Sequence, residues 1–420
     1  MSGKRAFLDL LRQEGVEIVF GNPGTTELPL MDAFAVEHDI RYVLGLQEAA
    51  LMAMADGYAQ ASGKLAVLNL HVAPGLGNAM GMLYDAVKAA SPILITAGQQ
   101  DLEYLATEPV LSADLTTLAR PFVKSAAEVH RVADLPRLVH RAVKTALAPP
   151  TGPVFLSLPG DILKAEGDLD LMTPTRVAPR LRGDAAAVAA AAALLAQAKR
   201  PVIIAGDAAA QSRAHAELVA LAELIGAPVY TEFVPNTASF PASHPLARGA
   251  MVRSQAGARQ VLDQHDLLFS VGADLFTLSL PSNIEPMPPG LPLIHLDTDP
   301  WELGKNYPAE VAILGDPKST LPELTAAVEA AMTSACTGVL SASALAFALR
   351  AWRSASVASL AAAKRSRAAA RAALVMAAST PSERARPMKS IVGSVSSMPT
   401  KVSACSAWPR RASRRCLRMR

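Results

Sequence analysis

The chain has 420 residues, 51% hydrophobic and 18% charged, with three cysteines and a formal net charge of +3, apolar material for two or three cores. It has no apolar run of the roughly 18 residues a membrane span needs, no signal-peptide core behind Met1-Ser2-Gly3-Lys4-Arg5, and no CxxC pair for a disulfide scaffold or zinc site, so a cytoplasmic protein is expected. From Pro381 onward ten Lys and Arg face the single acid Glu383, a net +9 that leaves the preceding 380 residues at −6, and an acidic body argues against specific nucleic-acid binding.

Glu17-Ile18-Val19-Phe20 reads as a short strand entering a glycine turn. Leu65 to Leu70 is a largely apolar run of the kind buried on both faces of a parallel sheet, and Pro92 to Ala97 and Pro153 to Leu158 repeat it. Helical patterns lie between them at Ala49 to Ala61, Ala79 to Ala89 and Leu135 to Ala148. The alternation predicts a doubly wound α/β domain over residues 1–165. Residues 166–186 carry several acids, Pro174 and Pro179 and no hydrophobic period, and read as a linker. A second unit follows over 187–330, with strands at Pro201 to Gly206, Pro228 to Tyr230, Leu267 to Gly272 and Leu293 to Leu296, and a helix at Ala214 to Ile225. The expected fold class is α/β: two doubly wound parallel-sheet domains followed by a low-complexity basic tail. Residues 331–378 are Ala- and Arg-rich and helical by propensity. Residues 379–420, with Cys405 and Cys416, show no period and are expected to be disordered.

Three patterns in the first hundred residues carry chemistry. Phe20-Gly21-Asn22-Pro23-Gly24-Thr25-Thr26-Glu27 is a glycine-bearing turn running into a helix. Glu48, in Leu46-Gln47-Glu48-Ala49-Ala50, opens the next helix. His71 ends a buried strand in Asn69-Leu70-His71-Val72-Ala73-Pro74-Gly75-Leu76-Gly77-Asn78-Ala79-Met80-Gly81. Each has a plain structural reading as well. A glutamate in a first helical turn is favoured by the helix dipole. A histidine at a strand end is often a hydrogen-bonded core residue, and Thr25 to Glu27 suits a helix cap. The glycine run fails as a dinucleotide fingerprint, because Met80 stands where the third Gly or Ala belongs.

A carboxylate, a histidine and two glycine turns in this order resemble the thiamine diphosphate-dependent decarboxylase and acetolactate synthase family, and within it the benzoylformate decarboxylase branch. The likeness continues through Gln99-Gln100, Glu108-Pro109-Val110, Ala119-Arg120-Pro121-Phe122-Val123-Lys124 and Gly152 to Pro159. It is looser through Gly272-Ala273-Asp274 and His295-Leu296-Asp297-Thr298-Asp299-Pro300, and covers roughly residues 5–330.

The resemblance implies a carbon–carbon lyase acting on a 2-keto acid, with thiamine diphosphate and Mg²⁺ as cofactors. Residues 1–165 would be its pyrimidine-binding domain and 187–330 its Rossmann-like middle domain. Glu48 would share a proton with the cofactor's aminopyrimidine and so activate the thiazolium carbon. His71 would orient the substrate and assist protonation, and Thr25 would bind its carboxylate. Asn22, Pro23, Gly24, Gly75 and Asn78 would line the cofactor beside Glu48. Sites in this family form between subunits, which implies a homodimer or homotetramer. Three departures stand against this. The family's second catalytic histidine is replaced in Phe276-Thr277-Leu278-Ser279 by Ser279, and no flavin site is marked. The Gly-Asp-Gly that marks the diphosphate and Mg²⁺ domain is missing, since none of Gly160-Asp161, Gly167-Asp168, Gly183-Asp184, Gly206-Asp207 and Gly315-Asp316 continues to glycine. No metal ligand is therefore assigned, and a truncated or frame-shifted reading frame is expected. Two other readings stay open: a carboligase of the acetolactate synthase type, and a non-catalytic remnant or assembly partner lacking the diphosphate site.

Overall fold

The computed structural model describes residues 1–277 and 282–336; Ser279, the Ala- and Arg-rich segment beyond residue 336 and the basic tail lie outside them. The apolar runs of the sequence become the inner strands of two parallel sheets. The first holds β1 (Ile18–Gly21), β2 (Arg41–Leu44), β3 (Ala66–Leu70), β4 (Ile93–Gln99), β5 (Ala126–Glu128) and β6 (Val154–Pro159) in the order β2-β1-β3-β4-β6-β5. Every residue of β3, β4 and β6 is buried, which is why they read as unbroken runs and not as an apolar–polar alternation. Successive side chains still point to opposite faces. Val67 joins the core under α1 (Gly3–Gln13) and α2 (Leu28–Phe34), while Ala66 and Leu68 join the core under α3 (Glu48–Ser62) and α4 (Val72–Lys88).

This order creates a crevice. The chain leaves β1 for α2 on one face of the sheet and leaves β3 for α4 on the other. The two connections part above the carboxyl ends of neighbouring strands, where open α/β sheets bind ligands.

The helix expected from Ala79 begins at Val72 instead. Gly75, Gly77 and Gly81 look like turn residues because glycine is a poor helix former, yet they sit in the early turns of α4, closed by the Gly75 N–H on the His71 carbonyl at 2.8 Å. The short strands β2 and β5 had no legible pattern; both lie at sheet edges, and no residue of either is fully buried.

Residues 167–184 form no helix or strand but are strapped down. Leu169 and Leu171 pack on the first core. The buried Glu14 carboxylate meets His140 Nδ1 and Arg176, each at 2.5 Å, and His140 Nε2 donates to the Leu171 carbonyl at 2.8 Å.

The second sheet holds β7 (Pro201–Ala205), β8 (Val229–Thr231), β9 (Ala247–Ala250), β10 (Leu267–Val271), β11 (Leu293–Asp297) and β12 (Val311–Leu314), all parallel, in the order β12-β11-β10-β7-β8-β9. It too has an apolar core on each face. Among the described residues no helix is long and apolar enough to cross a membrane.

Candidate active site

Glu48 lies in the crevice between β1 and β3. The chain enters α3 through Gln47, whose extended backbone and side-chain oxygen cap the helix by accepting the Ala50 N–H at 3.0 Å. Glu48 therefore falls in the first turn, where unpaired N–H groups and the helix dipole favour a negative charge. Its side chain turns inward and the residue is only 7% exposed. Two amides fix the carboxylate. Asn22 Nδ2, just past the end of β1, donates to one oxygen at 3.0 Å, and Asn78 Nδ2, from α4, donates to the other at 3.0 Å. Gly75 packs against the same side chain; a Cβ built there would lie 3.6 Å from Glu48 Cγ, an ordinary contact. Pro23 is half-buried in the turn that carries Asn22 inward.

His71 stands at the end of β3 as the N-cap of α4. Its Nδ1 lies 2.8 Å from Glu27 Oε2 and 3.4 Å from the Thr26 hydroxyl. Glu27 is fully buried. Its carboxylate also accepts the Gly24 N–H at 2.8 Å and the Thr26 hydroxyl at 2.7 Å. With a carboxylate facing Nδ1, that nitrogen carries the proton, and Nε2 is left as the free face of the ring. Glycines form the mould: a Cβ on Gly24 would lie 2.2 Å from the His71 ring, and one on Gly98 1.9 Å from Glu27 Oε1. Tyr42 closes the far side, its hydroxyl 3.3 Å from Asn69 Oδ1. Burial, and then the charge of Glu27, holds the Tyr42 phenol well above its ordinary range.

The structure thus gathers Glu48, Asn22, Asn78, Gly75, Gly24 and His71 at one edge. Thr25 does not join them: it is exposed, and its neighbour Thr26 makes the contact with His71. Sequence reasoning missed Glu27 and Thr26, having read Thr25 to Glu27 as a helix cap. In the fold Glu27 closes a short 3₁₀ turn with its carboxylate directed into the core, and its partner His71 is 44 residues away. No local pattern signals that contact.

A dry carboxylate clamped by two amides at a sheet switch point is suited to sharing a proton with a heterocyclic nitrogen. A histidine with one tautomer set by a buried acid is suited to proton transfer beside it. These residues fit the aminopyrimidine end of thiamine diphosphate. Among the described residues no group of three or more His, Cys, Asp and Glu is gathered to hold a metal ion.

Family models match the same two regions: the N-terminal thiamine pyrophosphate-binding domain of thiamine pyrophosphate enzymes over residues 1–117, and their central domain over residues 188–324. The chain belongs to the thiamine pyrophosphate enzyme family. It is 36% identical to a benzoylformate decarboxylase of Pseudomonas aeruginosa over 322 residues, 76% of this chain and 60% of that protein. It is 32% identical to a probable acetolactate synthase large subunit of Methanocaldococcus jannaschii over 335 residues, 78% of this chain and 56% of that one. Among solved structures, a thiamine diphosphate-dependent 4-hydroxybenzoylformate decarboxylase of Rhodococcus jostii superposes with a TM-score of 0.73 at 36% identity, covering 78% of this chain and 62% of that chain. The chain therefore spans about 60% of the length of these thiamine pyrophosphate enzymes.

Proposed function

We propose that this chain supplies the pyrimidine half of a thiamine diphosphate site, and that the site serves a 2-keto acid decarboxylase of the benzoylformate type. The observation that carries this reading is the Glu48 carboxylate, buried at the switch point of the first sheet between the amides of Asn22 and Asn78. Thiamine diphosphate, when bound, supplies an electron sink for the pair released as the substrate's carboxylate leaves. Glu48 would share a proton with the aminopyrimidine nitrogen, and Asn22 and Asn78 would hold its carboxylate in place. His71 presents Nε2 to the substrate and moves the proton that replaces the lost carboxylate. Glu27 and Gly24 act through His71, the first by fixing its tautomer and the second by leaving room for its ring. Thr25, exposed beside the gathered residues in sequence, would bind the substrate's carboxylate. The diphosphate end and Mg²⁺ are assigned to a domain other than the two described.

Leucines that flank the site residues in sequence are exposed: Leu28 follows Glu27, and Leu44 and Leu46 precede Glu48, the last of them 95% exposed. Such leucines suit cover by a neighbouring subunit in a homodimer or homotetramer. The acetolactate synthase relatives favour a second reading, a carboligase built on the same half-site.

Saturation-transfer NMR with thiamine diphosphate, and with its aminopyrimidine fragment alone, tests the half-site directly. Stronger saturation of pyrimidine than of thiazolium protons, lost in Glu48→Ala, is expected. Equal saturation in both proteins would remove Glu48 from the site. Product analysis in the assembled enzyme, aldehyde against acyloin, separates the two activities.

A further inference from the structure

A cavity of about 530 Å³ lies where the two α/β domains meet, a size that suits a small ligand. The first domain brings three helix ends to it: the carboxyl ends of α3, of α4 and of the helix Leu135–Leu147. The second domain brings the short helix Asp207–Gln211 and the residues that follow it. Arg180, from the strapped segment 167–184, completes the wall. α3 has 15 residues, so its carboxyl end stands about 20 Å from Glu48 at its amino end. The cavity is therefore separate from the candidate active site.

Helix ends of this polarity favour positive charge, because their last carbonyls have no partner within the helix. Here those carbonyls are already engaged. Gln211 Nε2 donates to the Ala89 carbonyl at 2.8 Å, and the Thr151 hydroxyl donates to that of Ala90 at 2.5 Å. Lys124 Nζ donates to the carbonyls of Thr145, Ala148 and Pro150 at 2.6 to 2.7 Å. Arg213 Nη2 reaches the Ser62 carbonyl at 3.3 Å.

The charge left over is positive. Asp316 is the one acid of the cavity wall, and Arg180 Nη1 donates to its two oxygens at 2.9 and 3.0 Å. Two further acids stand behind the wall with donors of their own: Asp56 accepts the Ser91 hydroxyl, and Asp207 accepts N–H groups of Asn236 and Thr237. Arg213 forms no ion pair among the described residues, and the Ser62 carbonyl takes one N–H of its five. Its backbone is left-handed, with φ of 58°, a conformation uncommon outside glycine. Much of the remaining wall is apolar, with Ala59, Ala89, Leu147, Pro149, Ala208 and Ala210 among its residues.

We propose that this interdomain cavity binds a small organic carboxylate, its charge on the Arg213 guanidinium and its apolar body among the alanines and prolines of both domains. This goes beyond the proposed function and does not depend on it. A ligand seated here touches both domains at once, so its binding adds to the stability of their contact.

The probe is 2-naphthoate, with 2-naphthylmethanol as its uncharged counterpart. Each is titrated into the full chain labelled with carbon-13 at the alanine methyls. The carboxylate should shift the methyls of Ala59, Ala89, Ala208 and Ala210 and saturate. The alcohol should bind at least about tenfold more weakly, the loss of one charge-assisted contact. Arg213→Gln should weaken the carboxylate at least about tenfold and leave the alcohol unchanged, while Arg213→Lys, which keeps the charge, should retain most of the affinity. Equal binding of acid and alcohol would overturn the proposal. So would unchanged carboxylate binding in Arg213→Gln, or shifts confined to Ala49, Ala50 and Ala73 near Glu48 and His71. If Arg213→Gln does not fold, the comparison of acid and alcohol on the wild-type chain decides.

Discussion

Glu48 and Glu232 are both buried carboxyls at the carboxyl edge of a parallel sheet, each 7% exposed, yet their neighbours differ in kind. Glu48 is held by side-chain amides from two different elements, Asn22 and Asn78. Glu232, the residue after β8, is held by the backbone N–H groups of Asp207 and Asp274, in the turns that leave β7 and β10, and the loop that follows it is bonded back to Asp207. Backbone donors fix a carboxyl to the fold itself. Amide side chains fix its direction while leaving the space beyond it for a ligand. The same topology thus yields one crevice suited to a cofactor and one closed by the chain.

The largest effect should come from removing the acid of the open crevice. In the assembled enzyme, Glu48→Gln keeps size but cannot share a proton. Turnover should fall by about 10² to 10⁴, or roughly 3 to 5 kcal/mol of activation free energy. Single-turnover kinetics would read this, and an unchanged rate would make the two crevices functionally alike.

Next come the residues that act through His71. Gly24→Ala drives a methyl into the imidazole ring, where a Cβ would sit at 2.2 Å. Overpacking of this kind costs about 1 to 3 kcal/mol, visible as a lower urea midpoint, and should be accompanied by a shifted His71 ring signal. Glu27→Gln turns one oxygen of a buried carboxylate that accepts three hydrogen bonds into a donor and should cost a similar amount, about 1 to 3 kcal/mol. Nitrogen-15 spectra of the ring should also show His71 losing its single Nδ1–H tautomer. An unaltered tautomer would mean that Glu27 is packing alone.

The smallest effect belongs to Thr25, which lies outside the network. Thr25→Ala should change stability by less than about 0.5 kcal/mol. A larger loss would bring Thr25 into the buried cluster in place of Thr26.

The sequence made the interiors of both sheets legible, because strands buried on both faces must be apolar throughout, as at Ala66–Leu70 and Leu267–Val271. Edge strands such as Arg41–Leu44 and Ala247–Ala250 carry no such demand and were missed. The residues around Glu48 were legible through their order along the chain. The start of α4 was not, since its glycines look like a turn until Leu70 and Glu48 are packed against Gly75. Glu27 and Glu232 escaped for a shared reason. The direction of each carboxyl is set by partners distant in sequence, His71 for one and Asp207 and Asp274 for the other.

The account rests on Glu48 and His71 having different tasks in one crevice. Exchange of the thiazolium C2 proton for deuterium, followed without substrate in the assembled enzyme, separates them most directly. Glu48→Gln should slow exchange by two orders of magnitude or more, about the range of a general acid–base contribution. His71→Ala should exchange at nearly the wild-type rate. Wild-type exchange in Glu48→Gln would contradict the assignment and leave Glu48 a buried helix-start carboxylate with no part in activating the cofactor.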